Sequence, residues 1–326
     1  MAVLSDGVWR LLQLLADAQW HSGEELGDEL GISRAAISKR LKQLEELNLP
    51  IESVAGRGYR LLSPLDLLSS EGVSACLSEE PFLKGLQLIL HRRIPSTNAE
   101  LMRLQRQRSI HGLVCVAEQQ NAGRGRRGRV WHSPFAQNLY LSVGWHFQGG
   151  IAALEGLSLA VGVVLCDALV ELGVESAQLK WPNDVLALGK KLGGVLIELA
   201  GDMDSECVVV LGVGLNVLMS EAEAIDQPWL ALQELGYRGS RNQLLAIVLK
   251  HLFRLLDSYE RDGFVAYRQR WNQLDAFAGS VVTLTSPSKA YSGIMRGVDG
   301  DGAVLIEQDE GLQRYIGGEL SLRVSE

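Results

Sequence analysis

The chain has 326 residues, 47% of them hydrophobic, and a formal net charge of -8. This length and composition exclude a disordered protein and predict about two or three domains with a large core. We find no basic-then-apolar leader and no apolar run of the roughly 18–20 residues that a membrane helix needs, so we expect a cytoplasmic protein without membrane contact.

The cysteines and histidines predict no metal centre. The four cysteines show no Cys-x-x-Cys spacing and three of them lie in apolar runs, so we expect reduced thiols in the core. The six histidines form no His-Glu-x-x-His pair. We therefore predict no structural metal, while Mg²⁺ bound with a nucleotide stays open. The cysteines are Cys76, Cys115, Cys166 and Cys207.

The first 60 residues have the pattern of a winged helix-turn-helix. Apolar residues at helical spacing predict a helix over 7–17, and a capping box at Ser22-Gly-Glu-Glu25 predicts a second helix that ends at Leu30. A third helix begins after Ser33 as its N-cap. Residues 51–61 alternate around a glycine-rich centre, which predicts a hairpin as the wing.

Charge favours DNA binding by this module. The first 60 residues hold seven Lys and Arg against nine Asp and Glu, but the stretch 31–44 has four basic residues and no acidic one. The positive charge thus falls on the elements that would dock against DNA. The alternative is a helical protein-interaction module. The residues that we expect at DNA are Ser33, Arg34, Ser38, Lys39, Lys42 and Arg57.

Short polar residues gather at a strand-to-helix corner beyond a break at Ser63-Pro64. We place a domain boundary at about residue 65, followed by a helix near 65–77 and a strand over 86–91. Pro95-Ser96-Thr97-Asn98 then ends a strand and caps a helix that runs to about Gln107. Such a corner can bind a polar ligand; the alternative is that Ser96 or Thr97 only caps the helix.

The stretch 118–131 combines glycine and arginine, in the order Glu-Gln-Gln-Asn-Ala-Gly-Arg-Gly-Arg-Arg-Gly-Arg-Val-Trp. Glycine lets backbone N–H groups turn towards an anion, and arginine binds phosphate or carboxylate with a planar charged fork. A strand-like run precedes this stretch at 112–117 and another follows at 138–145, so we predict a loop between two strands. Its glycines and arginines predict that this loop holds a negative group. We call residues 118–131 the arginine loop.

Other interpretations of the arginine loop fail on context. A dinucleotide-binding fold needs a helix after the glycines, where this chain has a strand-like run. A kinase would need Val-Ala-Ile-Lys, His-Arg-Asp or Asp-Phe-Gly downstream, and the chain has none of them. A P-loop needs Lys and Ser or Thr after the last glycine. A basic nucleic-acid arm remains as an alternative, against which the apolar strands argue.

A second group of candidate residues lies between 179 and 217. The pattern predicts a hairpin that brings Asp184 near Lys191, beside the pair Gly193-Gly194 where a ligand can approach the backbone. Lys191 is then a candidate electrostatic catalyst. The alternative is that Lys190 and Lys191 form a solvent-exposed turn. A buried strand over 207–217 ends in Gly-Val-Gly-Leu-Asn216.

The remaining pattern predicts a core helix over 152–172, later helices and a small terminal barrel. Two further helices are expected at about 241–261 and 264–274. Short strands separated by Gly-Asp turns then predict the barrel. These strands cover 281–285, 291–296, 303–307 and 314–316.

Five motifs in one order over nearly the whole length resemble the bacterial bifunctional biotin–protein ligases and biotin operon repressors. The motifs are Ser96-Thr-Asn, Gln120-Asn-Ala-Gly-Arg-Gly-Arg-Arg-Gly-Arg, Lys180-Trp-Pro-Asn-Asp, Lys191-Leu-Gly-Gly and Gly212-Val-Gly-Leu-Asn. One departure is Asn121, where relatives often have a second glutamine. The resemblance implies an α+β protein with a winged helix-turn-helix (1–65), a mixed α/β ligase domain of the class II synthetase-like type (66–274) and an SH3-like β-barrel (275–326).

The resemblance also implies a function. Members of the family activate biotin with ATP and Mg²⁺ to biotinyl-5′-adenylate and transfer biotin to a lysine of the biotin carboxyl carrier protein of acetyl-CoA carboxylase. As an adenylate-bound homodimer they bind operator DNA and repress the biotin genes. The alternatives are a lipoate or octanoyl ligase or transferase of the same fold, and a ligand-sensing transcription factor without ligase activity.

Site residues follow from the resemblance, motif by motif. Catalysis would use Lys191 and Arg126 to neutralise charge at the reacting phosphate, and Asp184 to orient or deprotonate the acceptor amine. Biotin would contact Ser96, Thr97, Asn98, Gln120, Arg124, Gly125, Arg126 and Lys191. ATP and the adenylate would contact Arg124, Arg126, Arg129, Trp131, Asn183, Lys191 and Asn216.

Overall fold

The computed structural model has three regions in chain order: a winged helix, a mixed sheet with helices on both faces, and a small five-stranded antiparallel sheet. This confirms the predicted fold class. The domain limits at about residues 65 and 274 stay predictions. The structure describes residues 4–77, 80, 83, 86–200, 207–222, 225–285, 289–316 and, for the backbone alone, 321–324.

The winged helix forms as its sequence predicts. Ser5, Ser22 and Ser33 each cap a helix by accepting a backbone N–H, and the capping box from Ser22 to Glu25 is complete. Gly31 ends the second helix with a φ of +64°. Its elements are α1 (Asp6–Leu15), α2 (Gly23–Leu30), α3 (Arg34–Glu45), β1 (Ile51–Val54) and β2 (Gly58–Leu61).

A seven-stranded sheet forms the centre of the protein, and all its neighbouring strands are antiparallel except the first pair, which is parallel. From one edge to the other the strands are β3 (Gln87–His91), β4 (Leu113–Ala117), β5 (Leu139–Phe147), β9 (Cys207–Leu215), β8 (Lys190–Ala200), β7 (Asp184–Ala187) and β6 (Ala177–Lys180).

The two faces of this sheet carry different helices. On β9, Val209 and Leu211 join the main core with α6 (Leu157–Glu171), whereas Val208 and Val210 pack with α5 (Thr97–Gln105). Alternate residues of a strand face opposite sides, so α5 and α6 cover opposite faces. The remaining helices are α4 (Ser70–Cys76), α7 (Arg241–Asp262) and α8 (Val265–Leu274).

Two helix predictions need correction. The helix expected over 65–77 is the shorter α4. The core helix expected over 152–172 begins with a 3-10 turn over Ile151–Leu154, and α6 starts only after Gly156, whose φ is +70°. Apolar periodicity does not show this break, because apolar residues recur both before Gly156, over 151–154, and after it.

One segment among the described residues is long and apolar enough to cross a membrane by length and composition, which contradicts our expectation of none. It covers Ile151–Glu171. The apolar residues of this segment are explained by burial inside the protein, because 61% of its most apolar window is buried. In α6 this burial is among the sheet, α7 and α8.

The C-terminal sheet has five strands, one more than predicted. Their order is β13-β12-β11-β10-β14, and all neighbours are antiparallel. This sheet region meets the central region where the indole Nε1 of Trp181 donates to the carbonyl of Gly302 at 3.0 Å. The strands are β10 (Val281–Thr285), β11 (Ala290–Val298), β12 (Val304–Gln308), β13 (Gly311–Tyr315) and β14 (Ser321–Val324).

All four cysteines are free thiols, as predicted. Three of them are buried as predicted, whereas Cys76 is exposed, so the prediction of a core position is wrong for Cys76. Burial raises the pKa of Cys115 and of Cys166 to about 12, so both thiols stay protonated at neutral pH.

Candidate functional site

Glycines open one face of the central sheet beneath the arginine loop. A Cβ atom added at Gly212 would lie 2.4 Å from Oδ1 of Asn98, and one added at Gly214 would lie 2.5 Å from the ring of Trp131. Both distances are far below van der Waals contact. The close approach of Asn98 and Trp131 to the strand therefore depends on these two glycines.

The polar corner at the start of α5 meets the beginning of the arginine loop. Ser96 caps the helix by accepting the N–H of Ala99, as the simpler interpretation held. Thr97 donates its backbone N–H to Oε1 of Gln120 at 2.8 Å, and its hydroxyl lies 3.2 Å from the same oxygen. Thr97 and Asn98 are both buried. The structure thus brings Ser96, Thr97, Asn98 and Gln120 together.

Two polar residues of this corner were missed from the sequence. The hydroxyl of Ser142 is fully buried and lies 2.7 Å from Oγ1 of Thr97 and 2.6 Å from Oδ1 of Asn98. The carboxylate of Glu198 accepts from Nδ2 of Asn98 at 2.7 Å. Each is the lone polar residue in an apolar strand segment, and this is the signal that could have identified them.

The arginine loop folds over this face as a narrow hairpin. Trp131 donates its N–H to the carbonyl of Gly123, and Gly125 donates to the carbonyl of Arg129. A guanidinium nitrogen of Arg124 lies 3.5 Å from Glu198. The side chain of Arg129 is exposed, so within this loop it contributes its backbone carbonyl.

Arg126 reaches across to the hairpin formed by β7 and β8. Its NH1 donates to Oδ1 of Asn183 at 3.2 Å, and Nδ2 of Asn183 donates to the carbonyl of Val195 at 2.8 Å. Burial, and after it the charge of Arg127, lowers the pKa of Arg126. Arginine nevertheless stays protonated at neutral pH, so this positive charge is available to an anionic ligand.

Lys191 and Asp184 form an ion pair with an Nζ to Oδ1 distance of 2.7 Å, which confirms that the hairpin brings them together. Both side chains are less than one fifth exposed. A register shift in the pairing of β7 with β8 lies between Val185 and Leu186. The interpretation as a solvent-exposed turn holds for Lys190, which is exposed, but not for Lys191.

The two remaining nucleotide candidates lie next to Lys191. Its Nζ is 5.5 Å from the ring centroid of Trp131, within the range of a cation–π contact. Nε1 of Trp131 is buried and has no acceptor among the described residues, so it can donate to a ligand. Asn216 donates to the carbonyls of Leu230 and Lys191 and so holds the start of β8.

The predicted DNA-binding residues lie on the surface. All six are exposed, and five belong to α3 or to its N-cap. Ser33 uses its hydroxyl to cap α3, which leaves the basic residues as the more available contacts. The guanidinium of Arg57 lies 4.7 Å from the centroid of the Trp20 ring, which holds the tip of the wing against the module.

No group of three or more His, Cys, Asp or Glu that could hold a metal ion occurs in the part of the chain that the structure describes. A divalent ion can also be held largely by the phosphates of a bound nucleotide. Mg²⁺ commonly binds in this way, through substrate phosphates, water and one or two carboxylates.

The fold and the site together define a class of protein: a ligase-type domain with an anion-binding arginine loop, joined to a winged helix-turn-helix. Comparison with protein-family models supports this assignment for all three regions of the chain. Residues 90–216 match the biotin/lipoate A/B protein ligase family, residues 10–60 match an HTH domain, and residues 277–323 match the biotin protein ligase C-terminal domain.

Individual relatives show which family within this class the chain belongs to. The bifunctional ligase/repressor BirA of Salmonella typhimurium is 43% identical over 319 residues, and that of Escherichia coli is 41% identical over 320, each match covering 97% of both chains. Biotin protein ligase from Aquifex aeolicus, solved with biotin and ATP, is 31% identical with a TM-score of 0.65 over 73% of this chain and 99% of that one. The chain belongs to the family of bifunctional biotin–protein ligases and repressors.

Proposed function

We propose that this protein is a cytoplasmic, ATP-dependent biotin–protein ligase that also represses the biotin genes. It forms biotinyl-5′-AMP and transfers biotin to a lysine of the biotin carboxyl carrier protein of acetyl-CoA carboxylase. One observation supports this above all. Two cations, Lys191 beneath the glycine-rich arginine loop and Arg126 within it, are held by the neighbouring residues Asp184 and Asn183.

The first step joins two anions. The carboxylate of biotin attacks the α-phosphate of ATP, an oxygen–phosphorus bond forms, and pyrophosphate leaves. Lys191 and Arg126 stabilise the negative charge that accumulates on the phosphate oxygens. Since no residue group resembling a metal site is found among the described residues, we propose that Mg²⁺ is carried by the phosphates of ATP.

The second step needs a neutral amine. The acceptor lysine attacks the carbonyl carbon of the mixed anhydride, AMP leaves, and the amine loses a proton. Asp184 is the proposed proton acceptor. In the ligand-free site Asp184 is paired with Lys191 at 2.7 Å. We propose that Lys191 moves towards the phosphate of the adenylate and so frees the carboxylate of Asp184 for this task.

The remaining contacts divide between biotin and the nucleotide. We propose that Ser96, Thr97, Asn98 and Gln120 bind the ureido ring, whose buried polar groups all need partners. Arg124 and Gly125 close over the chain of biotin. Trp131, Asn183, Asn216 and the backbone at Arg129 would bind the nucleotide.

The test is a complete reaction. The protein is mixed with ATP, biotin and a biotin carboxyl carrier domain, and both pyrophosphate and the mass of the carrier are measured. We expect pyrophosphate release that requires biotin, together with a carrier heavier by one biotinyl group. Lipoate in place of biotin tests the alternative substrate of the same fold. Absence of pyrophosphate release would favour a transcription factor that only senses ligand.

Repression requires a dimer, and the sheet offers a surface for one. Strand β8 pairs with β9 from Gly193 to Ala200, but with β7 only from Lys190 to Gly194. Within the described residues, no strand pairs with 196–200 on the side away from β9. An unpaired strand edge can pair with a second chain. We propose that the adenylate-bound protein dimerises through this edge.

The adenylate should therefore tighten the dimer and operator binding together. A single winged helix offers few phosphate contacts, whereas two of them on a palindrome combine their contacts. By linkage, the factor by which adenylate tightens dimerisation equals the factor by which dimerisation tightens adenylate binding, typically about 5- to 150-fold. Sedimentation equilibrium and operator titrations, with and without biotin and ATP, measure this. If adenylate changes neither the dimer affinity nor the operator affinity, the proposed repressor function is wrong and only the proposed ligase function remains.

A further inference from the structure

Glu198 is the only acidic residue of β8, and its direct neighbours Ile197 and Leu199 are apolar. Its side chain is 28% exposed. A carboxylate in such a place costs desolvation free energy unless partner groups compensate it. The partners of Glu198 therefore indicate why a charge is present on this strand.

Two partners from different parts of the fold meet at this carboxylate. Oε2 accepts a hydrogen bond from Nδ2 of Asn98 at 2.7 Å, and Oε1 lies 3.5 Å from NH2 of Arg124. Asn98 belongs to α5, and Arg124 belongs to the arginine loop. One side chain thus joins the sheet, the polar corner and the loop.

Glu198 is the stronger of two acceptors that orient the amide of Asn98, since Nδ2 also donates to the carbonyl of Leu196 at the longer distance of 3.4 Å. The hydroxyl oxygen of Ser142 lies 2.6 Å from Oδ1 of Asn98, and the carboxylate of Glu198 accepts a hydrogen bond from Nδ2 of Asn98. A carboxylate can only accept, so the nitrogen must face Glu198 and the oxygen must face Ser142. With Glu198 in place, Oδ1 of Asn98 keeps one lone pair for a donor such as a ureido N–H.

The two contacts differ in strength. The bond to Asn98 is short and charge-assisted, and Asn98 is only 4% exposed. The ion pair with Arg124 is longer, and Arg124 is 47% exposed, so solvent screens it. We therefore expect the larger effect of Glu198 to act through Asn98, and a smaller one to act through the loop.

We propose that Glu198 is a positioning residue, which fixes the amide of Asn98 for biotin and retains Arg124 over the ligand face before ligand binds. This inference rests on the proposed function, in which biotin is the ligand of this face. Because Asn98 and Arg124 are already ordered before ligand binds, binding loses less conformational entropy.

The test is Glu198→Gln, which keeps the size of the side chain and removes its charge. We expect the Kd for biotin to rise about tenfold, because a neutral amide at position 198 accepts a weaker hydrogen bond and no longer fixes the orientation of Asn98, while the Kd for ATP and the melting temperature stay close to the parent values. Isothermal titration calorimetry measures both constants. In the ligand-free protein, trypsin should also cut the arginine loop faster.

Two further variants show whether the effect passes through Asn98. In the double variant Asn98→Ala/Glu198→Gln, biotin affinity should be close to that of Asn98→Ala alone, because Glu198 then has no amide to orient. Glu100→Gln is the matched control. It removes a carboxylate from the same helix α5, where Glu100 pairs with Arg103, and it should leave biotin affinity unchanged.

Three outcomes decide the inference. Parent-like biotin affinity in Glu198→Gln overturns it, and so does an equal loss of biotin and ATP affinity with a lowered melting temperature, because that result indicates general damage. Independent, additive losses in the double variant also overturn it. If the parent protein itself binds no biotin, the proposed function fails. The rates at which trypsin cuts the arginine loop in the ligand-free parent and in Glu198→Gln then still test whether Glu198 retains Arg124.

Discussion

Replacing Lys191 with methionine should slow the formation of biotinyl-5′-AMP by about a hundredfold or more, which is the typical effect of removing one preorganised electrostatic stabiliser. Methionine keeps most of the length and the unbranched shape of the side chain but has no positive charge to stabilise the phosphate. Because Lys191 acts mainly on the transition state in this proposal, kcat should fall more than biotin affinity. Biotin-dependent pyrophosphate release at saturating ATP gives the rate, and calorimetry gives the affinity.

The neighbouring lysine provides a matched control for this experiment. Lys190 is exposed at the start of β8, and Lys190→Met removes the same charge one residue away. We expect it to react at nearly the parent rate. A rate of Lys191→Met close to that of the parent would contradict the role of Lys191, and a slow Lys190→Met would transfer that role to the other lysine.

The site could be predicted where its residues are close in sequence. Asp184 and Lys191 lie on two strands joined by a short turn, so an ordinary hairpin is enough to bring them together, and they do form an ion pair. The same holds for the winged helix, where capping serines mark the beginning of each helix.

The missed residues depend on contacts between distant parts of the chain. Ser142 lies 44 residues from Asn98, and Glu198 lies 100 residues from it. Spacing along the sequence cannot predict such pairs, because they depend on the order of strands in the sheet. A lone polar residue in an apolar strand indicates that a partner exists but not which residue it is.

A buried ion pair at the base of the arginine loop was also not predicted. The side chains of Glu118 and Arg241 are both 0% exposed, and NH2 of Arg241 lies 2.5 Å from Oε2 of Glu118. The other carboxylate oxygen accepts the N–H of Leu68 at 2.6 Å. Arg241 also donates to the carbonyls of Asp66 and Asn138. This pair therefore joins the segment after the winged helix, the arginine loop and the start of α7.

Desolvation makes this pair sensitive to the loss of either partner. Burial raises the pKa of Glu118, although Arg241 and the N–H of Leu68 lower it. If Arg241 is lost, the carboxyl group can become protonated and lose its charge. If Glu118 is lost, the guanidinium of Arg241 keeps its charge, because arginine does not deprotonate in proteins.

Glu118→Gln should therefore lower the free energy of unfolding by about 3–5 kcal/mol, the usual cost of leaving one buried charge without its partner. Urea unfolding of the full chain measures this, with the melting temperature as a second readout. The matched control is Glu52→Gln in the half-exposed wing pair with Arg60, where we expect a loss of no more than about 1 kcal/mol.

The loss at Glu118 should also reach the ligand site, because Gln120, only two residues away, binds Thr97 at the polar corner. We therefore expect weaker biotin binding in Glu118→Gln, under conditions in which that variant is still folded. The double variant Glu118→Gln/Arg241→Met separates charge from packing. It should lose less stability than the sum of the single variants, because neither charge is then left unpaired. Additive losses would show that the two side chains stabilise the protein independently, and the importance of their ion pair would be refuted.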